Sequence, residues 1–475
     1  MSQIPYGCCG VTRRGFLLGA GVGFAAGLPL GLVGLRALGV WNGDFPTFTG
    51  RSVEVKRPEF AMPGPYPGRV IEVHHPGAVG AEHEIKADAV QAMMRRGMCE
   101  LTGADHAVEG WKRFFEKGDV VGIKVNPVGR KPNKGDSGRV ATAVGSISSP
   151  EVLLEIVAGL KEAGVRPKDI IVFERYANEF RDAGYEAVMA VRAMDGVRWC
   201  ASSAAYDGAQ VDIEGYPAAH REGRDAHVVG YDPDVFVEMG FAAPEHDRKD
   251  DRRFRSHLSV IVSRMVNKIV TIPVLKDHRS AGVTLALKNM SHGMNNNVAR
   301  SHLPKKYYRR DQENGPNQCN TFIPTAAGQR LLREKATLHV MDGLIGVYEG
   351  GPGCWNQTWG TWRRQSLFFA TDPVALDLVG WDIIDRKRME EGWQPVGRMG
   401  LIQERAGLTV AAGLAGLGAG DPAEAAALTL SGQNFLDGRT SESFDRRQPE
   451  HVILAGTIGL GIFDRDKIDY RHIVV

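Results

Sequence analysis

Short, almost continuous apolar runs alternate along this chain with longer amphipathic stretches, the pattern of strands buried on both faces and of helices that cover them. Arg69-Val-Ile-Glu-Val-His-His75 is the first run, and Ala81 to Met98 reads as the first helix. A second strand starts from Asp119 in "DVVGIKVN". Ser149-Pro150-Glu151 then opens a helix that reaches about Ala163, with serine at the cap, proline at the first helical position and Gly164 after the end. "DIIVFE" from Asp169 is a third strand, so the spacing predicts a βαβ unit with a parallel pair.

The same alternation returns further on. "NKIVTIPVL" reads as one strand, Gly282 to Asn289 as a short helix and Pro324 to Lys335 as another, then come strands "TLHVMDG" and "SLFFATD" and a helix from Pro373 to Met389. The predicted class is α/β: a mostly parallel sheet covered by helices on both faces, with a polar insertion or lid at 180–255, where charge and Gly replace periodicity. Residues 40–68 are rich in Pro and Gly and read as a linker, so the α/β domain is assigned to 69–475.

Residues 1–39 read differently. Thr12-Arg13-Arg14-Gly15-Phe16-Leu17-Leu18 opens a stretch without charge from Gly15 to Leu35, which resembles a twin-arginine export signal. A plain membrane anchor is the alternative, since the stretch is just long enough to span a bilayer. Ala37-Leu38-Gly39 is a weak cleavage site, so removal and retention both stay open. Either way the expected location is outside the cytoplasm, periplasmic or anchored on the outer side of the membrane, with the twin-arginine translocase as a partner.

Composition narrows the function. With 43% hydrophobic and 24% charged residues the chain is globular, and a formal charge of +2 gives no field for nucleic acid. Of the six cysteines, Cys8 and Cys9 precede the twin arginines, while Cys99, Cys200, Cys319 and Cys354 are far apart and no C-x-x-C occurs. That spacing disfavours an intrinsic iron-sulfur cluster or an all-cysteine zinc site, and leaves one or two disulfides open.

Candidate chemistry gathers where strands end. In open α/β sheets, ligands bind beyond the carboxyl ends of the parallel strands. Lys124 and Asn126 close the second strand, Lys276, Asp277 and His278 come directly after "TIPVL", and Lys288, Asn289 and His292 come soon after. Lysines so close to apolar runs suit a phosphate or carboxylate, or base chemistry once desolvated. His278 suits proton transfer, and equally a plain loop hydrogen bond. Asp342, Glu349, Asp372 and Asp377 offer oxygen ligands for Mg²⁺ or Mn²⁺. Two of them also have a plainer reading: Asp372 before Pro373 as a helix cap, and Asp342 before Gly343 as a turn former. Gly350 and Gly353 in "EGGPGC" can bend backbone amides toward an anion, although the spacing is not that of a nucleotide loop.

"GIKVN", "TIPVLKDHRSAGVTLALKNMSHG", "VMDGLIGVYEGGPG" and "ATDPVALDLVGWDII" together resemble the uncharacterised family called domain of unknown function 362, over about residues 70–390. The resemblance implies an α/β domain often encoded beside or fused to ferredoxin-like modules, and supplies no reaction. It falls on Lys124, Asn126, Lys276, His278, Lys288, Asn289, Asp342, Gly350, Gly353, Asp372 and Asp377. The chain departs from the fused members in having no cysteine motif.

The expected function is an enzyme acting on a small anionic molecule. Lys276, His278 and Lys288 would be catalytic, Lys124, Asn126, Asn289, Gly350 and Gly353 would bind substrate, and Asp342, Glu349, Asp372 and Asp377 would hold a divalent metal. An extracytoplasmic anion- or metal-binding protein, and an accessory subunit of a redox partner protein, are the alternatives.

Overall fold

The computed structural model describes residues 58–129, 146–240, 242, 246–302, 318–354, 358–396 and 449–475. The expected twin-arginine segment and most of the expected linker lie outside them. No helix among the described residues is long and apolar enough to cross a membrane.

In chain order, β1 (Arg69–His74) leads through α1 (Ala87–Thr102) and α2 (Ala107–Phe114) to β2 (Val121–Lys124). α3 (Pro150–Glu162) returns to β3 (Ile170–Tyr176), and α4 (Ala177–Asp182) and α5 (Tyr185–Met189) lead to β4 (Arg198–Ser203). A small antiparallel sheet of β5 (Tyr231–Glu238) and β6 (Arg255–Ser259) precedes β7 (Lys268–Thr271), β8 (Val274–His278) and β9 (Gly282–Val283). Then come α6 (Leu285–Met294), α7 (Gln318–Ala327), α8 (Arg330–Lys335), β10 (Ala336–Glu349), β11 (Gly360–Ala370), α9 (Pro373–Glu390), α10 (Glu450–Thr457) and β12 (Asp469–Val474).

Ten strands form one mixed sheet in the order β12-β1-β11-β10-β7-β2-β3-β4, with β8 paired to β10 and β9 to β8. β2, β3, β4 and β7 run parallel, as does β10 against β7 and β8 and β12 against β1, while β11 is antiparallel to both its neighbours. Successive residues of the central strands point to opposite faces, as strand geometry requires. Val121, Ile123 and Val172 join one core with α1 and α3, whereas Ile171, Phe173 and Ile269 join the other with α6 and α9. The α/β class with helices on both faces is therefore as the periodicity predicts.

Several local readings change: the stretch 324–335, expected as one helix, is the end of α7 and the whole of α8. "NKIVTIPVL" is two strands, broken at Ile272-Pro273, because proline has no amide to continue the ladder. The break lets β8 swing to a later stretch of β10, where Asp342 pairs with Val274 and Val347 with Lys276. The stretch 180–255 is also not wholly an insertion. Arg198–Ser203 joins the main sheet beside β3, and only the part beyond it builds the separate β5–β6 pair. The half-polar sequence "RWCASS" is an edge strand, whose weak apolar run hides it from periodicity.

Candidate functional site

β2 and β3 end side by side, and their last residues, with those just beyond, form one wall of a cavity of about 480 Å³, the size of a small-molecule site. Lys124, Asn126, Glu174, Arg175 and Tyr176 come from these strand ends, and Lys288, Asn289, His292 and Gly293 from α6. Tyr206 and Gln210 close it from the segment after β4, and Val298 and His302 from the chain after α6.

α6 is aimed by a carboxylate. Asp377, buried on α9, accepts hydrogen bonds from the amides of Ala286 at 2.7 Å and Leu287 at 3.0 Å, the first amides of the helix. These donors have no partner within a helix, so an acidic group there both satisfies them and complements the helix dipole. Lys288 and His292, four residues apart, then face the cavity together. Gly293 leaves room for Lys124, whose Cε lies 2.6 Å from where a Cβ would stand.

Lys288 and Asn289 are both more than nine-tenths buried. The Lys288 ammonium makes no hydrogen bond to a described residue, and both polar atoms of the Asn289 amide are buried without a partner among the described residues. Tyr176 Oη and Gln210 Nε2 are likewise without one. Buried polar groups in folded proteins are almost always paired, so three such groups on residues that line one hollow mark a place where something else binds. Burial draws the Lys288 pKa down to about 8, against the nearby Cys319 and with the help of Arg175.

Lys124 is different. Its ammonium is paired with the Glu174 carboxylate and donates to the Val125 carbonyl, so its charge is answered inside the protein. Lys276 lies one layer behind the wall, fully buried, donating to the Val128 carbonyl and reaching Asn126 Oδ1 and the Ser146 carbonyl at 3.4 Å each. Burial, and then the Lys288 charge, bring its pKa to about 7. Of the three lysines expected to share one hollow, Lys124 and Lys288 line the cavity and Lys276 lies outside its lining, next to Asn126. His278 Nδ1 accepts from the amides of Ser280 and Ala281, which fixes its ring in the β8–β9 turn, 5.3 Å from the His302 ring.

The four expected carboxylate ligands are not brought together. Asp342 accepts from the amides of Ser149 and Leu344. Asp372 caps α9 through Val374 and Ala375 and also takes the amides of Gly68 and Ile462. Asp377 holds α6, and Glu349 is paired with Arg388 and Thr358. A carboxylate filled by backbone amides has little left for a metal, and for Asp372 and Asp342 the plainer reading is the one their hydrogen bonds obey. Gly350 and Gly353 also stand apart from the cavity lining; of that loop only Pro352 reaches it. Gly350 adopts φ +90° and the Gly351 amide donates to Asp277 at 2.7 Å, so the turn is tied to β8.

Among the described residues one group of three metal-ligating side chains does converge: His292, His302 and Cys319. His302 and Cys319 carry no sequence signal, being ten and 27 residues beyond His292 with no recognisable ligand spacing. Tyr176 and Gln210 were equally hidden, one inside a strand and the other in a polar stretch. The four described cysteines form no disulfide.

The family described as Domain of unknown function (DUF362) matches residues 121–382, more than half of the chain. The chain belongs to that family, and the match runs from the start of β2 into α9, so it contains every wall of the cavity. No curated protein matches it.

Proposed function

We propose that the cavity is the active site of an enzyme acting on a small anionic molecule, with Lys288 as the counter-charge to that anion. The observation that carries this reading is the Lys288 side chain on the cavity lining, with no hydrogen bond to a described residue, beside the Asn289 amide whose polar atoms are buried without partners. A buried cation without a partner is costly, and an anionic ligand removes that cost. The other charges point the same way: Lys124, Arg175 and Lys288 stand against Glu174 and Glu179, an excess of one positive charge on the lining. Asn289, Gln210 Nε2 and Tyr176 Oη add donors that suit carboxylate or phosphate oxygens. Lys288, drawn down to about 8 at the cavity, favours chemistry over capture alone.

Calorimetric titration of the purified protein with inorganic phosphate and with small mono- and dicarboxylates tests this. One class is expected to bind at a single site, with Lys288→Met weakening it at least about tenfold, as loss of a charge-assisted contact does. Retention of the melting temperature shows that the fold survives. Equal binding by Lys288→Met, or no binding of any of these anions, overturns the proposal.

The reading extends to location. We propose export by the twin-arginine route, supported by Arg13-Arg14 ahead of an uncharged apolar stretch. Replacing both arginines by lysine should hold the folded protein in the cytoplasm, and unchanged export would refute it.

A further inference from the structure

We infer that His292, His302 and Cys319 hold a thiophilic divalent metal ion of the zinc class in the wall of the cavity. This goes beyond the anion reading and does not depend on it.

The three residues come from different elements: His292 from α6, His302 from the 3₁₀ turn Ala299–His302, and Cys319 from α7. One donor atom from each lies within 4.8 Å of the other two. Zinc bonds of about 2.0–2.3 Å to nitrogen and sulfur place tetrahedral ligand atoms roughly 3.5 Å apart, so a closure of about an ångström completes the set. The donors already share a focus. Ser301 Oγ stands 2.7 Å from His292 Nε2, 3.0 Å from His302 Nδ1 and 3.8 Å from Cys319 Sγ. The hydroxyl has one proton, and the Val298 carbonyl lies 2.7 Å away to take it. It therefore accepts an N–H from each ring, and this one atom lies within 3.8 Å of all three candidate ligand atoms.

The surroundings suit an ion. Ser291 Oγ lies 3.0 Å from His292 Nδ1, positioned to orient the ring while Nε2 turns to the metal, as partners of ligating histidines usually do. Phe322 packs on the His292 ring at 5.0 Å and belongs to an apolar cluster with Met239, Val298 and Ala326, which limits water on that side. His292 and His302 also line the cavity. Two imidazoles and one thiolate are the ligand number of zinc sites that keep a position open for water or substrate, and here two of the three ligands line the hollow that Lys288 also lines. A thiolate with two histidines selects zinc over the hard cations expected for the carboxylates.

The test uses the full chain, equilibrated with zinc and then dialysed. About one zinc per chain is expected, and cobalt in its place should give a thiolate-to-metal charge-transfer band with tetrahedral visible bands. Cys319→Ser should abolish that band, and His302→Gln, at the less buried ligand, should weaken zinc binding at least about a hundredfold. Should Cys319→Ser fail to fold, His302→Gln decides alone. Zinc that washes out of the wild type, or binds Cys319→Ser and His302→Gln as well as the wild type, overturns the proposal. Lys288→Met leaves all three ligands in place, so it should keep its zinc while losing the anion, and either reading can fail without the other.

Discussion

The Arg388 guanidinium meets the Glu349 carboxylate at 2.5 Å, with both side chains sealed from solvent. The same nitrogen donates to the Tyr348 carbonyl and lies 3.7 Å from Asp277, so one cation on α9 answers two buried carboxylates, at the end of β10 and on β8. Asp277 in turn receives the Gly351 amide. The turn after β10 is thereby locked to the strand that carries Lys276.

Removing that cation strands two negative charges in the interior. Arg388→Met should destabilise the protein by about 3–5 kcal/mol, the range for breaking a buried pair from one side. Glu349→Gln should cost less, because Arg388 keeps the Tyr348 carbonyl and Asp277. Chemical denaturation of the two variants measures the difference, and an Arg388→Met loss under about 1 kcal/mol would show that the network is not structural.

Lys276 and Lys288 are coupled through their charges, and the coupling has a direction. Burial is the main cause of the low Lys276 pKa, and the Lys288 charge is the next. Lys288→Met should therefore raise the Lys276 pKa from about 7, by roughly half a unit to one unit for a like charge at this range. A bound anion at Lys288 should act in the same sense. NMR titration of labelled lysine side chains reads both effects, and a pKa that falls or stays fixed in Lys288→Met contradicts the arrangement.

Distance along the chain decides which features were legible in the sequence. The βαβ unit from β2 to β3 was legible because continuous apolar runs and the Ser149-Pro150 start are local signals. Even there Ser149 gives no side-chain cap; its amide donates instead to Asp342, 193 residues away. Lys124, Lys288 and Asn289 stood out as polar groups at or soon after the ends of apolar strands, and they do line one cavity. The pairing that separates them was not legible. Glu174 neutralises Lys124, three acceptors hold Lys276, and Lys288 is left without a partner among the described residues. The carboxylates look like metal ligands in one dimension, yet amides from Gly68, Ala286 and Ile462, distant in sequence, claim Asp372 and Asp377. His302 and Cys319 reach His292 only through the packing of three separate elements.

Two histidines buried away from water, His339 and His451, weaken the fold in acid. His339, near the start of β10, bonds Thr271 Oγ1 through Nδ1 at 2.7 Å and leaves Nε2 without a partner. His451 on α10 has neither ring nitrogen paired. Burial depresses each pKa to about 3 from an ordinary 6.5. Both are neutral in the folded state at pH 7 while the unfolded chain gains protons below about pH 6.5. Their contribution to stability is therefore complete above that pH and is lost as pH falls toward about 3. Each adds a slope of about 1.4 kcal/mol per pH unit between those limits. Denaturation midpoints measured from about pH 7 to about pH 4 should fall accordingly, and His339→Gln should remove the slope of one proton. An identical pH profile for wild type and His339→Gln would mean that this imidazole is protonated, or exposed, in the folded protein.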